Sequence, residues 1–121
     1  MRDVFYIEGS MPSLNEYVSA ERANRFKAAK IKRQETERVR LAAVNQSVQH
    51  FVGPVIVRFL WVESTRRRDL DNIAFAKKFV LDGLVAAGVL DGDSQRYVVG
   101  LQDTFEIDPH YPRVVVEIRE V

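Results

Sequence analysis

Hydrophobic positions recur along this chain with two periods. Residues 3–8, DVFYIE, alternate loosely and predict a first strand, ended by Gly9 to Pro12. Ser13-Leu-Asn-Glu16 has capping-box spacing, with Ser13 at the N-cap and Glu16 reaching back, so a helix begins there. From this point to about Gln49 the composition favours helix. The segment reads as one long helix, or as a short one joined to a longer one around Ala20–Arg25. Apolar residues are sparse between Ala29 and Val39, so this helix is not buried all round. Gly53-Pro54 opens VIVRFLWV, residues 55–62, which is apolar on both faces apart from Arg58. That is the pattern of a central strand, with Trp61 in the core. A second helix is expected from about Asn72 to Ala87, with Ile73, Ala76, Val80 and Leu84 as its buried stripe and Asp71 as its N-cap. Gly88 and Gly92 bracket a turn. Residues 97–107 then alternate, with Tyr97, Val99, Leu101, Phe105 and Ile107 on one face. After the loop Asp108–Pro112, Val114, Val116 and Ile118 mark a last strand.

The order β-α-β-α-β-β predicts an α+β domain with a mixed sheet of about four strands and two helices packed on one face. The first two strands are joined by a helical crossover, and the last two are expected to pair as a hairpin. At 121 residues the chain is long enough for one core, so residues 1–121 read as one domain. No window resembles a membrane span and no signal peptide opens the chain, so a cytoplasmic protein without a membrane partner is expected. The absence of cysteine fits that compartment and excludes disulfides and thiolate zinc sites.

A net charge of +1 does not announce a nucleic-acid binder, but its distribution is informative. Eight basic residues, among them Arg22, Arg25, Lys27 and Lys30, fall between Arg22 and Arg40. Such a run is either a solvated, salt-bridged face or a phosphate-binding surface, and spacing alone singles out none of these cations. Arg66, Arg67 and Arg68 follow the central strand and lead directly into Asp69 and Asp71. Two residues apart in an extended segment, these aspartates project to one side. Further on, positions 71, 75, 78 and 82 fall within about 40° of one another on an ideal helix, so Asp71, Lys78 and Asp82 share a face from which Lys77 points away. Asp91 and Asp93 sit in the glycine-containing turn beyond it. Taken singly, Asp71 is a helix cap and Asp91 and Asp93 are turn residues. Together with the arginines they suit phosphodiester cleavage, in which carboxylates hold a divalent cation and basic groups hold nucleic acid. With only His50 and His110 in the chain, a histidine-based site is not indicated.

These residues resemble the RusA-type Holliday junction resolvases of bacteria and their prophages. The resemblance rests on Arg68-Asp-Leu-Asp-Asn72, Lys78-Phe-Val-Leu-Asp-Gly-Leu84 and Asp91-Gly-Asp-Ser-Gln95. It extends to Pro12–Tyr17, Asn24–Lys30 and Pro112-Arg-Val, and so covers most of the chain. It implies a homodimeric, Mg²⁺-dependent endodeoxyribonuclease that binds four-way junctions and nicks two strands symmetrically. It assigns Asp69, Asp71 and Asp93 as metal ligands and Lys78 as the active-site lysine. Two departures stand out. The stretch between Asp71 and the lysine is longer than in the best-known member. The family's paired acids are here separated by Gly92, which leaves Asp91 as a rival to Asp93. A non-catalytic protein that binds branched DNA is the alternative reading, and a small phage or structural protein a third.

Overall fold

Four strands, β1 (Arg2–Glu8), β2 (Val55–Glu63), β3 (Val98–Ile107) and β4 (Arg113–Glu120), form one mixed sheet in the computed structural model, which describes residues 1–121. Their order is β1-β4-β2-β3. β4 runs antiparallel to both β1 and β2, while β3 lies parallel to β2 on the outer edge. The doubly apolar β2 is interior, as its pattern predicts. Val55, Val57, Phe59 and Trp61 are buried on the helix-covered face, and Val62 is buried on the other.

The expected hairpin does not form: β3 and β4 are separated by β2. A strand that is apolar on both faces gains most from neighbours on both sides. β4, with Val114, Val116 and Ile118 all buried, supplies one of them. β3 takes the edge, where Val99, Leu101 and Ile107 stay exposed. Crossing one intervening strand requires only about 10 Å, well within the reach of the five-residue loop 108–112. A register shift between Val55 and Ile56 buries Val98 in place of Val99, which displaces the alternation expected from Tyr97.

Both helical connections are divided. The first consists of α1 (Leu14–Ala23) and α2 (Arg25–Asn45). Ser13 and Glu16 form the capping box, and extended Asn24 ends α1 while its side chain accepts from the Phe26 N–H at 2.8 Å. The second connection, expected to be continuous, is α3 (Leu70–Ala74) followed by α4 (Lys77–Ala86). Between them the backbone stays right-handed but tightens to i→i+3 bonds: Ala76 N–H to Ile73, Lys78 N–H to Phe75 and Phe79 N–H to Ala76. The tight turn coincides with an aromatic cluster in which Phe75 meets Phe79 edge-on at 5.6 Å and Tyr17 packs on both. α4 lies close against α2 at Gly83, where a Cβ would stand 2.4 Å from that of Val39. Gly88, at φ +77°, turns the chain back after α4. The predicted stripe Ile73, Ala76, Val80 and Leu84 is buried in a core of 22 residues that also includes Phe5, Phe51 and Phe59. No helix is long and apolar enough to cross a membrane.

Candidate active site

β2 ends at Glu63, and the chain then runs through Arg66–Asp69 into α3. Asp69 occupies the N-cap position of α3 but makes no capping hydrogen bond, and Asp71 lies in the first turn. Asp71 is therefore not the N-cap expected from sequence. Both aspartates are exposed, and neither carboxylate enters a side-chain hydrogen bond or an ion pair. Structural duty as a cap thus explains neither of them.

The two face different cavities. Asp69 lines one of about 630 Å³ with Glu63, Arg66, Arg68, Ile73 and Glu106. Asp71 lines a second, of about 450 Å³, with Lys77 and Asp103, and Leu70 and Phe105 border both cavities. The expected face of Asp71, Lys78 and Asp82 is consequently split. Each residue in the tightened turn advances about 120° in place of 100°, so a few such residues rotate Lys77 toward the Asp71 side. Lys77 is nevertheless occupied. Its Nζ lies 2.5 Å from Asp103 Oδ2 and 5.8 Å from the centre of the Phe59 ring, and Asp103 also accepts from Trp61 Nε1 at 2.8 Å.

Lys78 keeps its predicted partner Asp82, at 3.2 Å from Oδ1, and reaches Asp93 Oδ2 at 3.6 Å. The hydrogen bond it donates to Asp82, reinforced by the nearby Asp93 charge, raises the lysine pKa above its ordinary value. The second Asp82 oxygen is buried without a partner. α4 carries the chain about 15 Å away from this point, and the return after Gly88 brings Asp93 back to the first turn of the same helix. Asp91, the rival acid, is held instead by His50 at 3.0 Å. The aspartate beside the lysine is therefore Asp93. No three carboxylate or imidazole side chains converge as a preformed metal cage. Hard oxygen donors without protein partners, as at Asp69 and Asp71, nevertheless suit Mg²⁺, which takes one or two protein carboxylates and completes its shell with water and substrate oxygens.

The cations divide in the same way. Arg68 is turned inward: it donates to the Met11 carbonyl at 2.8 Å and lies 3.2 Å from Glu63, while its Nε is buried without a partner. Arg66 and Arg67 are exposed and unpaired, as are Arg22, Arg25, Lys27 and Lys30. Farther along α2 the pairs Arg38–Glu35 and Arg40–Glu37 form an ordinary salt-bridged surface. The charge run is therefore salt-bridged toward one end and without protein partners at the other.

Sequence reasoning gives no role to Glu63, which is 7% exposed and whose carboxyl pKa is pushed up by burial, with Arg68 opposing. Its place at the end of the most apolar strand, six residues before Asp69, is the available signal. Phe26 likewise carries no signal in the sequence pattern; it is 69% exposed amid the unpaired cations. No protein-family model and no curated protein sequence matches the chain.

Proposed function

We propose that this protein is a Mg²⁺-dependent endodeoxyribonuclease of the RusA type, which acts in the cytoplasm on four-way DNA junctions and nicks two strands symmetrically as a homodimer. The observation that carries the reading is the state of Asp69 and Asp71. Two exposed carboxylates without protein partners follow the unpaired Arg66 and Arg67, with only the inward-turned Arg68 between. Carboxylates in that place repel phosphate unless a cation intervenes.

Asp69 and Asp71, the acids without protein partners, would offer the metal one or two carboxylates and leave its other positions to water and substrate oxygens, while Asp93 stays beside Lys78. When bound, Mg²⁺ supplies polarisation of the scissile phosphate and acidifies a coordinated water. Arg66 and Arg67 hold backbone phosphates, and the cations at the start of α2 add sequence-independent affinity. Lys78 carries a positive charge at all ordinary pH values and offers it to the phosphate or to the leaving oxygen. A symmetric dimer places two copies of the site on opposing strands, one nick for each.

The test is a nicking assay on a synthetic four-way junction with Mg²⁺ and with EDTA. Wild type should cut in Mg²⁺ alone, and Asp69→Asn and Asp71→Asn should cut in neither. Near-normal cutting by either variant at saturating Mg²⁺ would remove the site assignment. The unpaired cations alone would also serve a protein that binds branched DNA without cutting it. Such a protein would bind equally in Mg²⁺ and EDTA and leave every strand whole.

A further inference from the structure

Phe26 is the second residue of α2 and the most exposed aromatic side chain of the protein, at 69%. The fold makes no use of it there. Its backbone N–H is already capped by Asn24, and the buried residues of α2 are Ala28, Val39 and Ala43. Close to it in sequence are Arg22, Arg25, Lys27 and Lys30, all exposed and free of ion pairs, in contrast to the paired arginines near the other end of the helix. The Arg25 guanidinium lies 5.1 Å from the centre of the Phe26 ring, which leaves the opposite ring face to solvent.

We propose that Phe26 is a stacking platform for an unpaired nucleobase, presented by the branch point of a nucleic acid whose backbone the surrounding cations hold. The charge around the ring selects a polyanion. The open ring face matches the one part of such a polymer that is flat, neutral and apolar. An intact duplex offers no free base face along its length, whereas a strand exchange point does. The platform therefore favours branched over linear DNA in a way that phosphate contacts cannot. The inference rests on the nucleic-acid reading above and adds a source of selectivity to it.

Affinity measured in EDTA, where no strand is cut, tests the proposal with a four-way junction and a linear duplex of the same sequence. Because the ring is exposed, Phe26→Ala should fold normally. It should lose roughly 5- to 100-fold on the junction, as expected for one stacked base, with little change on the duplex. Phe26→Trp should keep wild-type junction affinity, while Phe26→Leu should resemble the alanine variant. The slope of log K against log salt should not move for any of them, since every phosphate keeps its cation. Unchanged junction affinity in Phe26→Ala, an equal loss on duplex, or wild-type junction affinity in Phe26→Leu would each overturn the platform while leaving the nuclease reading intact. So would a fall in sedimentation mass on Phe26→Ala alone, which would assign the ring to an interface with a second copy of the chain. Failure of the wild type to bind either DNA would overturn both readings.

Discussion

Adjacent lysines at the start of α4 should show opposite phenotypes on truncation. Lys77 and Asp103 are only 25% and 23% exposed at their side chains, and the lysine also lies over the Phe59 ring. Removing it forfeits a charge-assisted hydrogen bond in a partly screened site, about 1–2 kcal/mol, although Trp61 Nε1 still serves Asp103. For a domain of this size that corresponds to a fall in Tm of about 4–8 °C. Lys78 is 54% exposed, and its i,i+4 pair with Asp82 contributes about 0.5 kcal/mol or less. Its truncation should leave Tm within about 2 °C of wild type. Cleavage should respond in reverse. A cation that stabilises phosphate charge in the transition state is worth about 10²–10³ in rate, by analogy with the loss of one oxyanion donor. Single-turnover cutting of a four-way junction, with thermal melts on the same preparations, separates the two effects. Lys78→Ala should be stable and slow, and Lys77→Ala less stable but close to normal in rate below its Tm. A slow Lys77→Ala with a normal Lys78→Ala would refute the assignment. It would place the working cation in the cavity of Asp71, on the side to which the tightened turn has rotated Lys77.

Two further expectations follow from charge and burial. Neutralising Lys27 and Lys30 together should weaken junction binding and flatten the dependence of log K on log salt by about 0.9 for each phosphate left without its cation; an unchanged slope would make them ordinary solvated side chains. Burial holds the Glu63 carboxyl above its usual range, so the folded state binds that proton more tightly than the unfolded chain does. Stability from this group is complete below the ordinary carboxylate pKa and is lost as pH rises through the elevated one. The Tm of wild type relative to Glu63→Gln should therefore fall as pH is raised from about 4 to neutrality, and a gap that widened instead would mean that Arg68 outweighs burial.

Sequence and structure part where local pattern gives way to long-range competition. β2 and β4 are legible because their side chains are buried as their periodicity requires. The partner of β4 is not legible, since alternation says which face is apolar and nothing about which strand lies alongside. Proximity in sequence favours β3, whereas the demand of β2 for two neighbours prevails. At the site, the aspartates and lysines stand out by type and order, and Asp93 does return to Lys78, but Asp69 and Asp71 face cavities of their own and do not join that pair. What ideal helical angles miss is the tightening at Phe75–Ala76, which depends on aromatic packing with Tyr17, far away in sequence. Arg68 shows the same limit. Three consecutive arginines look alike in sequence, and only the nearby Met11 carbonyl and Glu63 distinguish the one turned inward.

The pairing of acids around this site has an electrostatic consequence that can be measured without cutting. Lys78 serves Asp82 and Asp93, Lys77 holds Asp103, Arg68 holds Glu63, and Asp91 lies within hydrogen-bond distance of His50, whereas Asp69 and Asp71 have no such partner. In water, two carboxylates repel by about 1 kcal/mol or less at any separation beyond about 4 Å, which a stable fold tolerates readily. A bound phosphate changes that balance. At an effective dielectric constant near 20, a carboxylate and a phosphate charge about 5 Å apart repel by about 3 kcal/mol. Without metal, then, the residues proposed to hold it should oppose a bound phosphate. In EDTA, Asp69→Asn and Asp71→Asn should each bind a four-way junction more tightly than wild type, by tenfold or more if most of that repulsion is relieved, roughly 1.4 kcal/mol for each factor of ten. Asp91→Asn, whose carboxylate already faces His50, should change affinity little. In Ca²⁺, which occupies oxygen sites, the advantage of the two variants over wild type should disappear. Equal affinities in EDTA would mean that phosphate does not approach Asp69 and Asp71, and the cleavage site would have to lie elsewhere on the protein.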